Sequence, residues 1–148
     1  MITEPFPLSA MRGTADFPLP VRLRVLVVDD NRDAADSTAE LLTICGASVD
    51  VRYDGVAALA AVSAATPDAV ILDLTMPELD GCEVARRIRQ VAGAGVLLVA
   101  LTALGDEHNR TRTAAAGFNL HFTKPVDPTE LLAVLGEHRK RIANGPAR

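Results

Sequence analysis

Aromatic residues are scarce: the chain has no Trp, one Tyr and four Phe in 148 residues. Stacking on exposed bases, a common handle on single-stranded nucleic acid, has almost nothing to work with. A formal net charge of −4 also argues against the basic surface that direct nucleic-acid binding needs. No apolar run approaches the roughly 18 residues of a membrane span, so a soluble chain with no membrane partner is expected. Prolines and polar residues break up the N-terminal apolar positions, which leaves no signal-peptide core. Cysteine is limited to Cys45 and Cys82. Both fall in predicted helices and read as free thiols of a reducing, cytoplasmic compartment. No Gly-x-Gly-x-x-Gly or Gly-x-x-x-x-Gly-Lys-Ser/Thr loop follows the first predicted strand, so the usual signature of nucleotide binding is missing.

What is present is enough for a full core. Hydrophobic residues make up 49% and charged residues 23%, a balance for one folded domain with tails. Residues 1–22 contain Pro5, Pro7, Pro18 and Pro20, show no periodicity and read as a flexible extension. The domain is expected over 23–142, with a flexible tail at 143–148.

Strands are predicted at Leu23–Val28, Ser48–Arg52, Ala69–Leu72, Val96–Leu101 and Leu120–Phe122. Between them lie helical patterns. The first runs from Arg32 to Cys45 and stops at Gly46. The second is capped by Asp54 and runs to Ala64, with Val56, Leu59 and Ala60 expected inward. The third is expected to bury Val84, Ile88 and Val91, with Arg86, Arg87 and Arg89 outside. The fourth, Glu107–Ala116, has few large apolar residues. The fifth opens on Asp127-Pro-Thr-Glu130, an N-cap acid with proline at N1 and glutamate at N3. Its apolar face is Leu131, Leu132, Val134 and Leu135. His108 and His138 are expected in solvent, and Met76 is expected to pack in the loop beside Pro77.

Strand and helix thus alternate five times. Strands rich in Val and Leu on both faces belong in a parallel sheet covered on both sides. Right-handed crossovers make a doubly wound α/β sheet the simplest arrangement.

Such sheets bind ligands at the carboxyl ends of their strands. The polar residues that end the apolar runs are Asp29-Asp30, Asp73, Thr102 and Lys124. Each alone reads as blandly structural: an acid pair before a helix, a turn cap, an N-cap hydroxyl, a solvated lysine. Together they place three carboxylates, a hydroxyl and an ammonium at one edge, a set suited to a divalent cation and a phosphoryl group.

Four motifs carry a family resemblance: Val27-Val-Asp-Asp-Asn31, Leu72-Asp-Leu-Thr-Met-Pro-Glu-Leu-Asp-Gly81, Ala100-Leu-Thr-Ala103 and Phe122-Thr-Lys-Pro125. In this order, one per strand end, they resemble the response-regulator receiver domain of two-component signalling over Leu23 to Arg141. The resemblance implies a flavodoxin-like sheet ordered 2-1-3-4-5. It implies phosphorylation of Asp73 by a histidine kinase or histidine phosphotransfer protein. Mg²⁺ would be held by Asp29, Asp30, Asp73 and the Thr75 carbonyl, with Asp29 acting through a water. Lys124 and Thr102 would hold phosphoryl oxygens. Thr102 and His121 would be the switch pair, and Thr75 and Leu104 would tune the lifetime of the phosphorylated form. The output expected is a shift of the face built from the fourth helix, fifth strand and fifth helix, read by a downstream protein. On this reading the chain is a signalling domain that catalyses only its own phosphorylation and dephosphorylation.

Only a short tail follows the fifth helix, so the chain is expected to act through protein contacts or to be one domain of a larger protein. Ala116-Gly-Phe118 and Lys124-Pro-Val-Asp127 resemble receivers attached to hybrid histidine kinases. Two rivals stay open at this point. One is a Mg²⁺-dependent phosphatase with an aspartyl nucleophile, although Asp73-Leu-Thr75 lacks the second acid of that group's Asp-x-Asp. The other is a scaffold that keeps the fold without phosphorylation.

Overall fold

The computed structural model describes residues 23–76, 80–103 and 110–144. Five strands alternate with five helices: β1 (Arg24–Val28), α1 (Arg32–Ile44), β2 (Ser48–Arg52), α2 (Gly55–Ala64), β3 (Ala69–Asp73), α3 (Gly81–Ala92), β4 (Leu97–Thr102), α4 (Arg110–Ala116), β5 (Leu120–Thr123) and α5 (Pro128–Asn144). All pairings are parallel, in the order β2-β1-β3-β4-β5. This is the flavodoxin-like, doubly wound order.

β3 and β4 are buried at every position, as central strands covered on both faces must be. Their alternate side chains feed two separate cores. Val25, Val27, Ile71 and Val99 pack with Leu42 of α1 and Leu131, Leu132 and Leu135 of α5. Leu26, Val28, Val70, Leu72 and Leu98 pack with Ala58 and Val62 of α2, Val84 and Ile88 of α3, and Phe118. Met76 also joins this second core. The residue beside it, Pro77, lies outside the described segments.

Helix starts follow the capping residues. The side chains of Asn31, Asp54 and Asp80 accept backbone N–H groups of α1, α2 and α3. Asp127 does the same for Thr129 N at 2.9 Å at the start of α5.

Several sequence expectations need correction. Val56 is 73% exposed and Val91 54% exposed, and Ala60 faces solvent too. α2 buries Ala58 and Val62 instead. Its sequence, Gly55-Val-Ala-Ala-Leu-Ala-Ala-Val-Ser-Ala64, is apolar almost all round and holds no phase that would pick one face. Arg89 is not an outer residue. Its guanidinium donates to the carbonyls of Gly117, Gly93 and Val96 and to Asn119 Oδ1. It crosses from α3 to the turn after α4, where Gly117 has φ +108°. A Cβ there would lie 2.9 Å from Arg89 Cγ, so glycine is needed for both backbone and space. His138 is buried, with Nε2 3.0 Å from the Asp68 carbonyl. α4 is described from Arg110; the predicted start at Glu107, and His108, lie outside the described residues.

Candidate functional site

The parallel register sets the site. Asp29 and Asp30 follow β1, Asp73 is the last residue of β3, Thr102 the last of β4, and Lys124 follows β5. Because β1 and β4 flank β3 and β5 flanks β4, all in parallel, their carboxyl ends share the edge where Asp73 sits.

Asp73 is 1% exposed and Asp29 3% exposed, with Thr102 also buried, whereas Asp30 is open to solvent. Asp73 Oδ2 accepts the Lys124 ammonium at 2.8 Å. The same Nζ lies 3.7 Å from Asp29 Oδ2. Asp73 Oδ1 accepts the Thr75 amide at 2.9 Å and its hydroxyl at 2.7 Å. Asp29 Oδ1 accepts the Asn31 amide at 3.0 Å. The Lys124–Pro125 peptide is cis.

One lysine does not neutralise three acids. Burial pushes the Asp29 carboxyl up to about 6, and hydrogen bonding and charge from Asp73 push the same way. Burial also raises Asp73, but hydrogen bonds from Asp29, Lys124 and Thr75 outweigh it and hold that carboxyl below its ordinary value. Burial depresses Lys124, and the Asp73 hydrogen bond and the surrounding acids overcome that and raise it. Asp73 is therefore the anion of the pair, and Asp29 carries the proton they share most readily.

Asp29, Asp30 and Asp73 each offer an oxygen, and these oxygens lie within 4.8 Å of one another. Hard oxygen donors with excess negative charge fit a small divalent cation. Thr75 contributes its amide and hydroxyl to Asp73.

At the far side of β4, Thr102 Oγ1 lies 3.0 Å from His121 Nε2. The structure thus brings together Asp29, Asp30, Asp73, Thr75 and Lys124, and separately Thr102 with His121. Leu104 lies outside the described residues. The sequence reading missed Thr113, whose Oγ1 lies 3.3 Å from His121 Nδ1, and the Arg112–Asp80 ion pair joining α4 to the N-cap of α3. Both are contacts across elements, for which the sequence holds no local signal.

Comparison with known proteins gives the family and the fold. The family model of the response regulator receiver domain matches residues 25–136. Response regulator MprA of Mycobacterium avium (strain 104) is 40% identical over 111 residues, 75% of this chain and 48% of the relative. MprA of Mycobacterium ulcerans (strain Agy99) is 39% identical over 111 residues, 75% of this chain and 47% of the relative. The chain therefore spans about half the length of the curated relatives it matches. The Francisella response regulator 1452 receiver domain superposes with a TM-score of 0.75 at 26% identity, covering 82% of this chain and 99% of that one. The BeF3-activated DrrB receiver domain of Thermotoga maritima gives 0.73 at 27% identity, covering 81% and 99%. Among the described residues no helix is long and apolar enough to cross a membrane.

Proposed function

The chain belongs to the response regulator receiver domain family, and we propose that it is a phosphoacceptor switch whose acceptor is Asp73. The donor is the phosphohistidine of a histidine kinase or histidine phosphotransfer protein. The observation that carries this reading is the setting of Asp73: a buried carboxylate kept anionic, 2.8 Å from an ammonium, beside two further acids.

An Asp73 oxygen forms the new bond to phosphorus while the phosphorus–nitrogen bond of the donor breaks. The electron pair leaves on the imidazole nitrogen, which takes a proton from solvent. Asp30, Asp73 and the Thr75 carbonyl, with Asp29 in support through a water, would hold a Mg²⁺, which would supply the charge neutralisation that lets two anions meet. Lys124 holds one phosphoryl oxygen and shields its charge. The Thr75 amide and hydroxyl orient the Asp73 carboxylate. The Thr102 hydroxyl takes a second phosphoryl oxygen, and His121 moves with it. Added charge and acceptor oxygens then bias the α4-β5-α5 face toward a downstream protein. Thr75 and Leu104 set the phosphoryl lifetime; the resemblance alone supports the part given to Leu104.

The test is phosphoryl uptake from acetyl phosphate, followed by intact mass with and without Mg²⁺. Mg²⁺-dependent uptake in the wild type, absent in Asp73→Asn, is the expected result. Equal stable uptake in Asp73→Asn rejects the assignment. Catalytic turnover of a phosphate ester favours the phosphatase instead, and no uptake under any condition favours the scaffold. Thr75 stands where the phosphatase group needs its second acid.

A further inference from the structure

The Thr102 hydroxyl is held by a ring that is itself held from α4. His121 Nε2 lies 3.0 Å from Thr102 Oγ1, and its Nδ1 lies 3.3 Å from Thr113 Oγ1. Thr113 is 2% exposed and donates its hydroxyl to the Arg110 carbonyl at 2.9 Å. A threonine hydroxyl has one proton and two lone pairs. With that proton committed within α4, Thr113 Oγ1 faces the imidazole as an acceptor. In the neutral ring the proton then sits on Nδ1, and Nε2 is left as an acceptor. Thr102 donates to it. The Phe122 carbonyl, 3.4 Å from the same hydroxyl, is the more distant of its two acceptors among the described residues.

Thr113 is well placed to hold this arrangement. Its neighbour Arg112 is ion-paired to Asp80 at the start of α3. Four residues on, the Gly117 carbonyl accepts Arg89 Nε at 3.1 Å and Nη2 at 2.7 Å. Contacts on both sides of Thr113 thus tie α4 to α3.

We propose that Thr113 is a positioning residue that brakes phosphorylation. By fixing the Nδ1–H tautomer of His121, it makes the ring a competitor for the single Thr102 proton that a phosphoryl oxygen on Asp73 also requires. This rests on the phosphoacceptor reading above and adds a residue outside the acidic site, acting through His121.

The experiment measures Mg²⁺-dependent beryllofluoride affinity in the wild type, Thr113→Val and Thr113→Ser, with the His121 tautomer read by nitrogen NMR of the imidazole. Thr113→Val is expected to bind about fivefold more tightly, the factor that one released hydrogen bond supplies. Its ring should lose the fixed Nδ1–H tautomer. Thr113→Ser keeps the hydroxyl and should match the wild type in both respects. In a His121→Phe background the effect of Thr113→Val should vanish, which a general loosening of α4 would not produce. Unchanged or weaker binding in Thr113→Val overturns the brake, as does an Nε2–H tautomer in the wild type. Should Thr113→Val fail to fold, the wild-type tautomer and the Thr113→Ser affinity decide alone. A wild type with no Mg²⁺-dependent binding overturns the phosphoacceptor reading itself. A wild type that binds normally while Thr113→Val is silent overturns the brake only.

Discussion

The two edges of this sheet both carry aspartate, and they use it in opposite ways. At the amino edge, Asp68 Oδ2 accepts the Arg24 amide at 2.9 Å. Its backbone pairs with Arg24 and Leu97, and its carbonyl lies 3.0 Å from His138. One residue joins β1, β4 and α5 through backbone and ring donors. At the carboxyl edge, Asp29, Asp30 and Asp73 crowd one another, with one lysine among them. Like charges in a partly dry site are a cost that folding alone does not require. An aspartate matched to local donors is architecture, and aspartates matched to each other are poised for an ion and a reacting anion.

The sharpest way to break this contrast is to exchange its consequences. Asp73→Asn should abolish Mg²⁺-dependent phosphoryl uptake. Asp68→Ala should lower unfolding stability by about 1 kcal/mol, the net worth of a hydrogen bond, with uptake kept. Loss of uptake in Asp68→Ala, with the fold intact by circular dichroism, would erase the distinction between the edges.

A smaller effect is expected at the exposed member of the cluster. Asp30→Ala should weaken Mg²⁺ binding by about tenfold or more, the scale at which metal sites respond to lost oxygen partners. Calorimetric titration checks this, and an unchanged dissociation constant would remove Asp30 from the metal site.

Comparable in size is the cost of the site without metal. The Asp29 carboxyl, ordinarily near 3.8, is raised to about 6. Its folded form therefore holds a proton that the unfolded chain releases. This contribution to stability is complete below the unfolded value and is lost as pH rises through about 6. Metal-free Asp29→Asn should gain about 1–3 kcal/mol over the wild type near about pH 7.5, and little near about pH 4. Urea midpoints in chelator give the answer; equal midpoints at both pH values reject the crowding argument.

The smallest effect lies at the amino edge. Burial lowers the His138 pKa from its ordinary 6.5. Its Nδ1 has no hydrogen-bond partner among the described residues. The unfolded chain takes up a proton below 6.5 that the folded ring resists, so stability is full above that pH and falls as pH drops through it. His138→Gln, measured in the Asp29→Asn background to remove the opposing titration, should flatten this slope. A slope unchanged by the substitution would assign it to other groups.

Much of the site was legible before the fold was known. Asp29, Asp30, Asp73, Thr102 and Lys124 each end an apolar run, and a repeated strand–helix order forces parallel strands whose ends share one edge. The start of α5 was legible as well, because the Asp127 cap acts over a few residues. Less was legible where a helix had to choose its face. α3 carries Arg86, Arg87 and Arg89 within four positions, and a charge reads as outward. Arg89 turns inward because the carbonyls of Gly117 and Val96 and the Asn119 side chain offer acceptors there.

Sequence alone settled the elements, their order and which polar residues stand at the strand ends. Periodicity, capping and the reach of a strand end are local, and local terms are written in consecutive residues. Tertiary structure alone decided how the helices rotate on the sheet. Val56 and Val91 went out, and Arg89 and His138 went in. It also decided which acid of the buried pair keeps the proton and that His121 is bracketed by Thr102 and Thr113. Those outcomes depend on desolvation and on donors from elements far apart in the chain. Both exist only once the layers have packed.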